Sequence, residues 1–146
     1  MKQLLNTLSR EPSNGDVIIS IRHKFAEKIY DGSKIFELRH IEPSIKPGSW
    51  MWIYEPKPIG MITGYVRYDG LLIGGPKTIW KQYHEFLGVS EQEFFDYYSK
   101  REQAFAWCVG LPYKLSAPIT LAYVGITRPP QSYQFLRTIQ EPHNHR

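Results

Sequence analysis

Lys34, Glu37 and Arg39 fall within six residues, directly behind the turn sequence Asp31-Gly32-Ser33. A carboxylate set beside a cation stays ionised and can activate a water or hydroxyl, while a lysine or arginine steadies a developing oxyanion or holds a phosphate. The same groups suit recognition without reaction, Arg39 gripping a phosphate and Glu37 accepting from the exocyclic amine of a base. If Lys34 to Arg39 is a regular strand, Glu37 and Arg39 share one face and Lys34 lies on the other, unless the turn redirects it. The plain alternative is an intrastrand ion pair on a wet sheet face, which contributes little.

Other residues could join such a site. His23 stands at the start of an amphipathic segment, although a lone His is more often structural. Tyr97 could point its hydroxyl into a cleft or anchor its helix. Trp52, Tyr54, Tyr65, Tyr68 and Trp107 could offer stacking surfaces, yet aromatics in strands are more often core. Cys108, the single cysteine, lies in the apolar run Ala104 to Val109 and reads as core. His143 and His145 lack evident partner ligands, so neither a metal nor a cofactor is expected.

These side chains need a scaffold. Val17 to Ile21 is short, β-branched and preceded by a turn cluster, and reads as a buried strand. His23 to Tyr30 forms two helical turns with Phe25, Ala26, Ile29 and Tyr30 on one face, and Asp31-Gly32 ends them. Strands are expected at Lys34 to Arg39, Ser49 to Tyr54, Met61 to Tyr68, Ala104 to Val109 and Ile119 to Val124, with a bulge at Gly64. Thr78 could cap one helix. Ser90-Glu91-Gln92-Glu93 fits a capping box opening another that runs to about Lys100. Ser132 to Ile139 suggests a short helix, and residues 140–146 a flexible tail. Regular βαβ alternation is absent, so the expected fold is a single α+β domain, a small barrel of about six strands with two or three short helices.

At 146 residues the chain is long enough to bury one sizeable core, and with 42% hydrophobic and 22% charged residues it is globular rather than disordered. The net charge is +4, but residues 81–103 hold three basic and five acidic side chains, which leaves +6 on the rest. A basic body favours an anionic partner such as RNA or a nucleotide, although a modest positive charge also simply aids solubility. No apolar run suits a signal peptide or a membrane span, so a soluble cytoplasmic protein is expected.

Ser20, the helical Phe25-Ala26-Glu27-Lys28-Ile29 and the element Gly32-x-Lys34-x-x-Glu37-x-Arg39 together resemble the ASCH family, small domains of the PUA-like superfold. The likeness continues through Pro47-Gly48, Met51 to Tyr54, Ile79-Trp80, the capping-box helix with Phe94 and Tyr97, and Ala104 to Val109, about residues 17–126 in all. It implies a β-barrel with a cleft beside the first helix that binds RNA or nucleotides. Ser20, His23, Lys34, Glu37, Arg39 and Tyr97 are then the ligand-binding candidates. Some similar proteins hydrolyse amides on acylated cytidines through the motif lysine, and others have been linked to RNA cleavage. Lys34 and Glu37 would be the catalytic pair in either case, Glu37 standing where those hydrolases carry Thr. The expected function is therefore an RNA- or nucleotide-binding module with a basic cleft. The alternatives are a small amidohydrolase acting on modified nucleosides, a nuclease acting on RNA, or a regulatory module that binds protein.

Overall fold

A computed structural model describes residues 9–137. In chain order the elements are β1 (Val17–Ser20), α1 (His23–Tyr30), β2 (Phe36–Arg39), β3 (Trp50–Glu55), β4 (Met61–Gly74), α2 (Pro76–Tyr83), α3 (Glu91–Tyr97), β5 (Ala104–Ile119) and β6 (Tyr133–Phe135). The strands make one sheet in the order β2-β5-β4-β3-β1-β6, antiparallel except for the parallel pair β1 and β3. The sheet curls into a half-barrel. Arg39, at the end of the edge strand β2, reaches the carbonyl of Ser20 at the end of β1 and the hydroxyl of Ser132 just before the opposite edge strand, β6.

The curl is built from apolar alternation. Val17 and Ile19 of β1, Met51 and Ile53 of β3, Val66 and Tyr68 of β4 and Trp107 of β5 fill the concave side, where α1 adds Ala26 and Ile29. The intervening residues Ile18, Trp52, Tyr54 and Tyr65 pack on the convex side beneath Val124, Ile126 and Leu136. A third cluster joins α2 and α3 to β2 and β5 through Ile79, Leu87, Phe94, Tyr98 and Phe36. Both sheet faces are thus covered, which is why the strands carry apolar residues at successive positions instead of a clean in–out alternation.

Local signals account for most boundaries. α1 spans the expected residues and is closed by Gly32 at φ +86°, a left-handed conformation that glycine adopts without a Cβ penalty. The capping box opening α3 is present, with Ser90 Oγ accepting from Glu93 N and the Glu93 carboxylate accepting from Ser90 N. Gly64 lies where the β3–β4 and β4–β5 registers both shift, and a Cβ there would run into Tyr113 O and the Tyr30 ring.

Four expectations are corrected. α2 begins at Pro76 behind Gly75, not at Thr78, because proline fits the first helical position. α3 ends at Tyr97 instead of near Lys100. The two strands expected at 104–109 and 119–124 are one strand, β5, followed by a short 3₁₀ turn, Ala122–Val124. Register shifts against β4 absorb Pro112 and the residues around Pro118, so these prolines stand outside the regular ladder. The helix expected from Ser132 is β6, drawn into extended form by the open edge of β1, where Val17 pairs with Phe135. Residues 140–146, with His143 and His145, lie outside the described residues.

Candidate functional site

β2 begins only at Phe36, so strand parity does not govern Lys34. Lys34 instead belongs to the turn leaving α1, its backbone N–H donating to Lys28 O, while Ile35 N–H donates to Phe86 O beside the α2–α3 connection. That placement turns the Lys34 side chain to the Glu37 side. Its Nζ lies 3.9 Å from Glu37 Oε1, donates to Leu87 O at 2.6 Å and stands 5.1 Å from the centre of the Phe25 ring. Only 2% of Lys34 is exposed. Burial lowers its pKa from 10.5 to about 8, with the Glu37 carboxylate pulling the other way.

Arg39 holds the other side of Glu37. Its Nε and Nη2 lie 2.9 and 2.8 Å from Glu37 Oε2; Nη2 also donates to Ser20 O at 2.8 Å, Nη1 donates to Ser132 Oγ at 3.0 Å, and the guanidinium sits over Trp107. Its fork is thus turned into the protein, on Glu37 and the two ends of the sheet, instead of outward to a ligand phosphate. Ser20 reinforces the joint, its Oγ donating to Pro130 O at 2.7 Å and its N–H to Ser132 O.

Glu37 therefore has one oxygen saturated by Arg39 and the other facing Lys34. The 3.9 Å gap is too wide for a direct hydrogen bond and suits one bridging hydroxyl. Lys34, Glu37 and Arg39 form the floor of a cleft of about 580 Å³ also lined by Ser20, Phe25 and Tyr97. Its positive groups are Lys34, Arg39 and Arg22, and its α3 wall carries Glu93 and Asp96. Hydrogen bonds from Lys24 and from the cap hold the Glu93 carboxyl down at about 2. Tyr97 is 40% exposed in this cleft, and its ring rests on His40.

Five of the six candidate residues thus meet at one site, and His23 is the exception. It donates to Glu55 Oε1 at 2.7 Å and faces Glu27 Oε1 at 2.9 Å, outside the cleft lining. Glu55 is buried, and its second oxygen accepts from Thr63, whose hydroxyl lies 2.8 Å from that of Tyr30. His23 closes this network. Trp52, Tyr54, Tyr65, Tyr68 and Trp107 are all buried and offer no stacking face to a ligand. Cys108 packs with the third core cluster, and burial pushes its thiol pKa up.

Sequence reasoning missed His40, Ser132 and the Leu87-Gly88 backbone. Lys28 Nζ donates to Gly88 O, and the Lys34 side chain passes where a Gly88 Cβ would be. Of these only Gly88 carries a signal in the sequence, glycine being the residue that a left-handed backbone such as its φ of +68° favours. Among the described residues no group of three or more His, Cys, Asp or Glu is arranged to hold a metal ion, and no helix is long and apolar enough to cross a membrane.

No protein-family model matches the chain. Individual relatives do. An ASCH domain-containing ribonuclease from Zymomonas mobilis is 29% identical over 130 residues, spanning 86% of this chain and 87% of that protein. The large ribosomal subunit protein uL22 of Ureaplasma parvum is 23% identical over 127 residues, 87% of this chain but only 41% of that longer protein. The crystal structure of the Z. mobilis ASCH protein superposes with a TM-score of 0.77 at 28% identity, covering 86% of this chain and 90% of that one. A Tyr→Phe variant of it gives the same TM-score over 84% and 91%. The half-barrel agrees with these solved structures, and the chain is similar in sequence and fold to ASCH domain proteins of the PUA-like superfold.

Proposed function

We propose that this ASCH-like domain binds RNA in the cleft floored by Lys34, Glu37 and Arg39. One observation carries the reading: a buried ammonium and a carboxylate half-held by an arginine converge on a cleft that also has an exposed aromatic side chain. Lys34 supplies the charge for a phosphate and the free oxygen of Glu37 accepts from a ribose hydroxyl or a base amine, while Arg39 acts as the positioning residue for Glu37. Under this reading the place of action is the cytoplasm. The test is binding of a labelled RNA at low salt by the wild type and by Lys34→Ala. Equal affinities would remove the cleft from the proposal.

A second reading, RNA cleavage, is favoured by the Lys34 pKa of about 8 beside Glu37 and by the name of the Z. mobilis relative. Glu37 Oε1 takes the proton of a ribose 2′-hydroxyl, and the 2′-oxygen attacks the adjacent phosphorus. The bond from phosphorus to the 5′-oxygen breaks, and Lys34 gives its proton to that leaving oxygen, yielding a 2′,3′-cyclic phosphate and a 5′-hydroxyl end. An RNA carrying 2′-deoxyribose at one position should bind but resist cleavage there. Products carrying a new 5′-phosphate and 3′-hydroxyl would contradict this route, and turnover of an acylated cytidine without RNA cleavage would favour amide hydrolysis.

A further inference from the structure

Six large apolar or aromatic side chains stand exposed among the described residues, and of these only Tyr97 lines the cleft. It is held unusually firmly for an exposed ring. His40, the residue after β2, stacks on it at 3.9 Å between ring centres and 19° between planes, and His40 Nε2 lies 2.8 Å from Tyr97 O. Tyr98 meets both rings edge-on, at 4.9 Å for Tyr97 and 5.7 Å for His40. Tyr98 is itself buried, its hydroxyl within reach of the carbonyls of Arg39 and Phe105. The exposed ring is therefore tied through His40 and Tyr98 to β2, which carries Glu37 and Arg39 of the cleft floor, and to its neighbour β5.

Arg39, Arg101 and Arg22 act on the Tyr97 hydroxyl electrostatically and Glu37 acts against them, and Arg22 and Arg101 are exposed with no ion-pair partner among the described residues. Asp96 and Glu93 lie on the α3 wall. A phosphodiester is drawn toward Arg22, Arg101 and Lys34 and repelled from the Glu93 and Asp96 carboxylates, which leaves the base to face Tyr97. An aromatic plate beside a cationic track is how proteins hold unpaired nucleotides, since every base has a face to stack and a paired base has none free.

We infer that Tyr97, seated on His40, is a prebuilt stacking plate for one unpaired base beside the Lys34–Glu37 pair, so that the ligand is single-stranded rather than duplex RNA. The inference rests on the RNA-binding reading above. His40 is a positioning residue acting through Tyr97.

The test uses the full chain and a short single-stranded RNA carrying 2-aminopurine, whose fluorescence is quenched when it stacks. Wild type and Tyr97→Phe should quench the probe alike and bind it equally well. Tyr97→Leu, which keeps apolar bulk but no ring, should bind about 5- to 100-fold more weakly and leave the probe bright even at saturation. His40→Ala should bind with partial quenching, and His40→Phe should restore it, a pattern that loss of stability alone does not produce. The same sequence annealed into a duplex should compete poorly. If wild type binds no RNA at all, the function reading fails and the plate falls with it. RNA binding that is unchanged in Tyr97→Leu, or that never quenches the probe, leaves the function standing and overturns the plate.

Discussion

Lys34 Nζ and Glu37 Oε1 face each other across 3.9 Å inside the protein, too far apart to satisfy one another by a direct hydrogen bond. Each has a stronger bond elsewhere, Lys34 to Leu87 O and Glu37 to Arg39. The pair is thus fixed from outside and left open in the middle, the arrangement expected of groups that receive a ligand atom between them.

Because the Glu37 charge raises the Lys34 pKa against the effect of burial, Glu37→Gln should lower it below its value of about 8. Acetylation of Lys34, followed by peptide mass spectrometry as pH is varied, reads this directly. The midpoint should move to lower pH in the variant. A midpoint that stays or rises would mean that the two groups do not interact.

Arg39→Lys keeps the charge and loses the fork that spans Glu37, Ser20 O and Ser132 Oγ. It should lower stability by about 2 kcal/mol in urea denaturation, as losing hydrogen bonds from a charged donor does. RNA binding should weaken too, since Glu37 loses its brace. Combined with Ser132→Ala the losses should be less than additive, because both act on one joint. Full additivity would show that the half-barrel is not tied there.

The fold was legible where a local signal had no competitor. The β-branched run at Val17, the amphipathic α1 closed by Gly32 and the Ser90 capping box each specify their own element. The reading failed where tertiary partners decided. Pro112 looked like a strand end because the bulge that accommodates it exists only once β4 is alongside, and Ser132 onward looked helical because the open edge of β1 is invisible in the sequence. The site followed the same division. Spacing flagged Lys34, Glu37 and Arg39, but their convergence depends on β2 starting two residues after Lys34. His40 carries no local signal, since its partner is a ring 57 positions away.

Gly88 offers a test of how tightly Lys34 is aimed. It sits at φ +68°, and a Cβ there would come within 2.7 to 2.8 Å of Lys34 Cβ, Cγ and Cδ. Gly32, at φ +86°, has nothing within 4 Å of its would-be Cβ. Gly32→Ala should therefore cost about 1 kcal/mol from backbone strain alone, whereas Gly88→Ala adds a clash and should cost roughly 2–4 kcal/mol. The sharper expectation is functional. Gly88→Ala should lose RNA affinity under conditions where it remains folded, and Gly32→Ala should not.

The Lys34 ammonium also predicts two opposite pH trends. In the unfolded chain it titrates at its ordinary 10.5 and in the folded protein at about 8, so between these values the unfolded state binds more protons and stability rises with pH. The burial penalty is fully present below about pH 8 and is released as pH climbs toward 10.5, a change of about 3 kcal/mol. Lys34→Met has no such group, so the difference in stability between wild type and variant, measured by urea denaturation between about pH 7 and 10, should shift in favour of wild type as pH rises. RNA affinity should move the other way, falling above about pH 8 as the cation that faces the phosphate is lost. Lys34→Arg stays charged throughout and should flatten that fall even if its affinity is lower at neutral pH. Parallel trends in stability and affinity, or a fall that persists in Lys34→Arg, would place the titrating group elsewhere in the cleft.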